Sequence, residues 1–201
     1  MHRRRYRWAV PAVLAALAAA GTAGTVVAQN AQTTNAKQAA QIGKPFQNFA
    51  LRDIVSGKNL PLSSFKGKKI VVAAFVQNNC GTTWLYEKKI GDLIRDYKAK
   101  GVEVVAIHSS FTETDTEIRG QMDSRNLPIP ILDDKKTQAL RAYMGAVSTP
   151  TFFIIDKEGV LRYRGSFDSR PSGDSTPYVR QALDAIIDKR QIAVTQTRAF
   201  G

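Results

Sequence analysis

The side chain in this sequence best suited to covalent chemistry is a thiol. Cys80 is the single cysteine among 201 residues, and it sits in NNCGTTWLY, residues 78–86. A thiolate is a strong nucleophile, so an accessible cysteine can attack a disulfide sulfur or a peroxide oxygen. With no second cysteine the chain closes no internal disulfide, and a mixed disulfide on Cys80 must be released by a thiol from outside. Two readings of the residue stand side by side. It is either a reactive thiol at a strand-to-helix junction, marked by the polar or small neighbours Asn79 and Gly81, or a small buried hydrophobe, as free cysteines often are. Trp84 reads as core packing on the helix that follows, and Gln77, Asn78 and Asn79 as turn and cap residues. His108 comes after an apolar run and reads as an exposed loop residue, with proton transfer near Cys80 as the sharper alternative. One thiol and one imidazole make a poor metal site, so no metal or other cofactor is expected. Asp133 and Asp134 precede a helical pattern and read as its caps.

The elements that must position Cys80 are legible in the apolar pattern. IVVAAFV (70–76) is a continuous β-branched run, the mark of a strand covered on both faces, and it feeds directly into the cysteine. From Tyr86 the apolar residues Ile90, Leu93, Ile94 and Tyr97 follow at offsets of one helical stripe, which Gly101 ends. GVEVVAI (101–107) is a second buried strand, so strand, helix and strand form a parallel crossover unit. Before it, FALRDIVSGKNLPL reads as two short strands about a turn at Ser56-Gly57. After it come a weak helix around 116–126, a short or edge strand in the proline-containing LPIPILDD (127–134), and a helix carrying Leu140, Tyr143 and Met144 that stops at Gly145. TFFIID and VLRYRGSF flank the turn residues Lys157-Glu158-Gly159 as a hairpin, with Leu161, Tyr163 and Gly165 on one face. A last helix carries Val179, Ala182, Leu183, Ile186 and Ile187, with Thr176 as its cap and Pro177 at its first position. The fold class is therefore α/β, a mixed sheet with helices on both faces.

The chain opens with MHRRRYRW, an apolar stretch and small residues at Val26 and Ala28, the pattern of a secretory signal over residues 1–28. Residues 29–41 read as a flexible linker, 42–190 as the domain and 191–201 as a tail without a clear element. The full chain carries 29 basic and 17 acidic residues, net +12, and stays basic without the four arginines of the leader. The basic residues are scattered, with no aromatic-interleaved stripe, which argues against nucleic acid and is compatible with peripheral attraction to an anionic membrane surface.

Four features together give the chain a resemblance to the thioredoxin-like superfamily, in particular to exported redoxins of the alkyl-hydroperoxide-reductase and thiol-specific-antioxidant type. These are the strand leading into Cys80, the long helix after it, STPTFFIIDKEGVLRYRG, and a final amphipathic helix followed by TQTRAFG. The resemblance implies a three-layer α/β/α sandwich with a central mixed sheet, Cys80 as the catalytic residue at the mouth of its helix, and Thr149-Pro150, with a cis bond, as the substrate-binding edge. Gly81, Thr83 and Asn79 support the cysteine, with Asn78 or Asn79 as a helix cap and Thr83 offering its hydroxyl. The sequence also departs from the family. Cys80-Gly81-Thr82-Thr83 replaces a Cys-Gly-Pro-Cys pair, Ala74 stands where thioredoxins bury an aspartate, and Gln77 stands where peroxiredoxins carry a threonine or serine. The arginine that peroxiredoxins use later is replaced by Pro150.

The function expected is that of an exported, periplasmic or cell-envelope thiol-dependent oxidoreductase or antioxidant. It would act through one cysteine, by monothiol exchange or slow peroxide reduction, on a thiol, disulfide or hydroperoxide, with an external thiol reductant. The alternative is an inactive thioredoxin-like module that binds an envelope protein.

Overall fold

The computed structural model describes residues 39–200. The expected leader, and the expected linker as far as residue 38, lie outside the described residues. Along the described chain run β1 (Ala50–Arg52), β2 (Asn59–Pro61), β3 (Ile70–Val76), α1 (Gly81–Leu85), α2 (Glu87–Tyr97), β4 (Val102–His108), α3 (Asp115–Ser124), β5 (Ile131–Asp133), α4 (Ala139–Met144), β6 (Thr151–Ile155), β7 (Leu161–Gly165) and α5 (Tyr178–Ile187).

Every residue of β3 is buried, because this strand is the middle of a five-stranded sheet ordered β5-β4-β3-β6-β7. It pairs in parallel with β4 from Ile70↔Val102 to Val76↔His108 and antiparallel with β6. β5 runs parallel to β4, and β7 antiparallel to β6. Alternation along β3 divides the core in two. Val72, Ala74 and Val76 pack with Ile90 and Leu93 of α2, Ile118 of α3 and Leu183 of α5. Val71, Ala73 and Phe75 face Leu140 and Met144 of α4 and Phe46. Helices thus cover both faces of a mixed sheet, the three-layer α/β/α architecture expected. A fully buried side chain of this size contributes about 1.5–3 kcal/mol, and the fold stands on that packing, since its one cysteine is free.

Several local expectations need correction. The helix after Cys80 is two helices, broken at Tyr86. That tyrosine is 1 % exposed, and its hydroxyl donates to Asp168 Oδ1 at 2.9 Å, so the break turns the aromatic ring inward onto a buried carboxylate. Thr176 makes no side-chain cap, and Pro177 precedes α5 rather than opening it; the Thr176 carbonyl instead accepts the Ser169 N–H. Asp134 does serve α4, accepting the Leu140 and Arg141 N–H groups, whereas Asp133 accepts from Arg52. The segment 191–200 is tied to the sheet edge: Arg164 N–H donates to Thr195 O and Thr197 N–H to Arg164 O, both at 3.0 Å. Ala40, in the stretch read as linker, is buried, and its N–H donates to Tyr143 O.

Candidate active site

Cys80 lies where β3 hands over to α1. The strand ends at Val76, the chain turns through Gln77, Asn78 and Asn79, and the Cys80 N–H closes the turn on Gln77 O at 3.1 Å. Cys80 itself is the N-cap of α1, in extended conformation, with no side chain capping the helix. The expected asparagine caps are therefore absent. Asn78 sends its amide to Glu117 O, and Asn79 is used through its backbone.

The sulfur is half-buried and faces the loop before β6, where its S–H donates to Thr149 O at 3.0 Å. The Thr149–Pro150 peptide is cis, so the structure brings Cys80, Thr149 and Pro150 together. Burial of the sulfur opposes ionisation, and a carbonyl acceptor favours the protonated thiol. Against both stand first the Thr149 side chain, then the Thr83 N–H and hydroxyl and the Thr82 N–H, and the thiol lies below its ordinary value. Thr83 is buried, and its hydroxyl has no nitrogen or oxygen partner in the protein, which leaves it free for the sulfur. Gly81, the first residue of α1, is exposed and has nothing within 4 Å of where a Cβ would lie. It leaves the approach to the thiol open rather than touching it.

Beside Thr149 opens a cleft of about 290 Å³ lined by Gln77, Ser110, Thr112, Arg141 and Ser148 among others, with no carboxylate on its walls. Two of its lining residues, Phe111 and Val147, are 79 % and 86 % exposed. Trp84 packs half-buried against the core, as its position suggested, and its indole N–H also donates to Asn78 O at 2.5 Å. The Arg125 guanidinium stacks 3.8 Å from its ring centroid.

The sequence reading missed a buried ionisable pair behind the same turn. His108 is the last residue of β4, level with Val76, and is 1 % exposed rather than out in a loop. Its Nε2 lies 2.6 Å from Glu113 Oε2, and Glu113 Oε1 accepts the Asn79 N–H at 3.0 Å. Two signals in the sequence could have pointed here. A seven-residue strand pairing residue for residue with β3 ends on His108, and Thr114-x-x-Glu117 is a capping box that ends the loop just after Glu113. Among the described residues no three His, Cys, Asp or Glu side chains converge on a metal-sized site, and no helix is long and apolar enough to cross a membrane.

Residues 42–164 match the model of the AhpC/TSA family. The chain is similar to the thiol-disulfide oxidoreductase ResA of Bacillus thuringiensis, 33 % identical over 128 residues that cover 61 % of this chain and 68 % of the relative. It is 29 % identical over 127 residues to the thioredoxin-like protein YneN of Bacillus subtilis, covering 61 % of this chain and 69 % of that one. Among solved structures, a hypothetical protein from Sinorhizobium meliloti superposes with a TM-score of 0.72 at 30 % identity, covering 82 % of this chain and 93 % of the other.

Proposed function

The chain belongs to the AhpC/TSA family, and from that premise we propose that it is a thiol-disulfide oxidoreductase working by monothiol exchange through Cys80. The Cys80 thiolate attacks one sulfur of a substrate disulfide; the new S–S bond forms as the old one breaks, and the departing thiolate takes a proton from water. An external thiolate then attacks the mixed disulfide, leaves with the substrate sulfur as a disulfide, and returns the Cys80 thiolate, so electrons balance without a second cysteine in the chain. The observation that carries this reading is the half-buried sulfur held 3.0 Å from Thr149 O at the start of α1. There a bound disulfide can meet the thiolate beside half-buried Thr149, while Pro150 itself is buried. The leader pattern in residues 1–28 supports export to the periplasm or cell envelope, and the basic composition supports transient association with anionic membrane faces.

Intact-mass spectrometry after treatment with glutathione disulfide tests the proposal. A single glutathione adduct on the wild type and none on Cys80→Ser is expected. An unmodified wild type, with an alkylation midpoint at or above that of a free thiol, would overturn it. In that case a partner retained equally by wild type and Cys80→Ser would establish the binding-module alternative. A peroxide treatment run in parallel distinguishes exchange from slow oxidation to sulfenic acid, in which a hydroperoxide is reduced to an alcohol as Cys80 gains its oxygen.

A further inference from the structure

The turn that presents Cys80 is held from behind by a buried pair that the exchange chemistry does not use. Because β3 and β4 are parallel and in register to their last residues, His108 ends beside Val76, under the start of the turn. The loop after β4 then folds Glu113 back into the same place, and the two side chains are 1 % and 5 % exposed. Their 2.6 Å contact lies off the axis of a regular N–H···O bond, and His108 Nδ1 has no partner. Two bare acceptor atoms at that separation would repel, so one of the two groups carries a proton on the side facing the other. Burial holds the imidazole below its ordinary value, although Glu113 pulls the other way. The pair is therefore a neutral imidazole whose Nε2–H faces a carboxylate.

That carboxylate has further donors, and they belong to the turn. Glu113 Oε1 accepts the Asn79 N–H at 3.0 Å and Oε2 the Asn78 N–H at 3.4 Å. The indole of Trp84 holds the opposite side of the same peptide, donating to Asn78 O. The other charged groups nearby are occupied with one another. Lys135 donates to Asp115 and to the backbone carbonyl of Glu113, and Asp133 accepts from Arg52. A carboxylate fixing two successive N–H groups sets the planes of the peptides that lead into Cys80, and so the direction of its Cα–Cβ bond.

We propose that Glu113, seated on His108, is a positioning residue for Cys80: it fixes the 78–79 peptides so that the sulfur faces Thr149 and the N–H groups of Thr82 and Thr83. The proposal rests on Cys80 being the reacting thiol, but its test does not depend on the physiological substrate.

The test is the iodoacetamide alkylation rate of Cys80 against pH in the full chain, together with its rate of reaction with glutathione disulfide. Glu113→Ala frees the turn, so the alkylation midpoint should rise toward that of a free thiol and the exchange rate fall about tenfold. Glu113→Gln keeps an acceptor for the Asn79 N–H and should recover most of that loss. The H108L/E113L double variant exchanges the whole pair for apolar groups, a change that is often neutral to stability, and should behave as Glu113→Ala does. A Glu113→Ala or folded double variant with the wild-type midpoint and rate would overturn the proposal, as would a Glu113→Gln variant impaired as severely as Glu113→Ala. Failure of wild type to react with glutathione disulfide would count against exchange alone, because the alkylation profiles still report the geometry.

Discussion

Two buried carboxylates brace the two ends of the segment that carries Cys80, and they are satisfied in different ways. Asp168, 2 % exposed, stands behind the break at Tyr86. It has a full counter-charge, with Lys89 on Oδ2, Tyr86 OH on Oδ1 at 2.9 Å and Ser175 Oγ at 3.2 Å. Glu113 stands behind the turn before Cys80 and has only two backbone N–H groups and an imidazole held neutral by burial. The first arrangement is a lock that depends on opposite charges brought together. The second depends on the path of the backbone, so disturbing it should alter where the thiol points more than whether the domain folds.

The largest effect should therefore come from Asp168→Ala. It leaves the buried Tyr86 hydroxyl without its acceptor and the Lys89 ammonium with only Arg170 O at 3.4 Å, and removing one partner of such a pair costs about 3 kcal/mol. Urea unfolding should show this loss, while Cys80 alkylates at nearly the wild-type rate. A variant that kept its stability but lost thiol reactivity would reverse the assignment of the two carboxylates.

A smaller loss, about 2 kcal/mol, is expected at the sheet edge. Gly165 has φ +145°, and a Cβ there would lie 2.7 Å from Thr197 O and 2.8 Å from Thr197 N. Gly165→Ala must push the terminal segment off β7, breaking the bonds of Thr197 Oγ1 with Tyr163 OH and with the Ser166 N–H. Hydrogen exchange at Arg164 and Thr197 should accelerate, with the Cys80 midpoint unmoved. Protection retained at both amides would show that the terminal segment does not depend on the glycine.

What was legible beforehand follows the range of the interactions. β3, β4 and the β6–β7 hairpin announce themselves because a strand covered on both faces, or on one, writes its burial into consecutive or alternate residues. The stripe of α2 is visible for the same reason, with Ile90, Leu93 and Tyr97 all buried. Cys80 stood out as the lone thiol, but its meeting with Thr149 was found through resemblance, the two being 69 positions apart with no local pattern to join them. Glu113 and His108 were not found. The capping box at Thr114 and Glu117 marks where the loop ends but not that it folds back under the turn, and a histidine after an apolar run looks exposed unless the strand register is known. The break at Tyr86 was hidden because a tyrosine on an apolar stripe looks the same whether the helix continues or bends there.

The neutral imidazole gives the comparison a pH dependence of defined sign. Above about 6.5, the ordinary histidine value, neither the folded nor the unfolded chain protonates His108, and the residue has no effect on the balance. Below it the unfolded chain binds a proton that the buried ring refuses, so stability falls as pH falls toward the depressed folded value. The carboxylates held low in the folded state, Asp53, Asp92, Asp96, Asp115 and Glu117, lose any contribution only as pH drops below their ordinary values, 3.8 for the aspartates and 4.5 for Glu117. Urea midpoints taken from about pH 8 to about pH 5 should therefore decline in wild type and less in H108L/E113L. Equal slopes would mean that the imidazole is already protonated inside the fold.

The smallest effect should come from the other side of the turn. Arg125 stacks on Trp84, and Trp84 holds Asn78 O, so the guanidinium touches the Cys80 turn only through the indole. A partly exposed stack of this kind contributes about 0.5–1 kcal/mol. Arg125→Ala should cost that much in unfolding free energy, and Arg125→Lys less, since it keeps the charge but loses the flat face. The indole is wedged against the core as well as under the arginine, so its bond to Asn78 should survive the loss of Arg125 and the Cys80 alkylation midpoint should stay put. If Arg125→Ala moved that midpoint as far as Glu113→Ala does, the turn would be held equally from both sides, and Glu113 would lose its leading part in aiming the thiol.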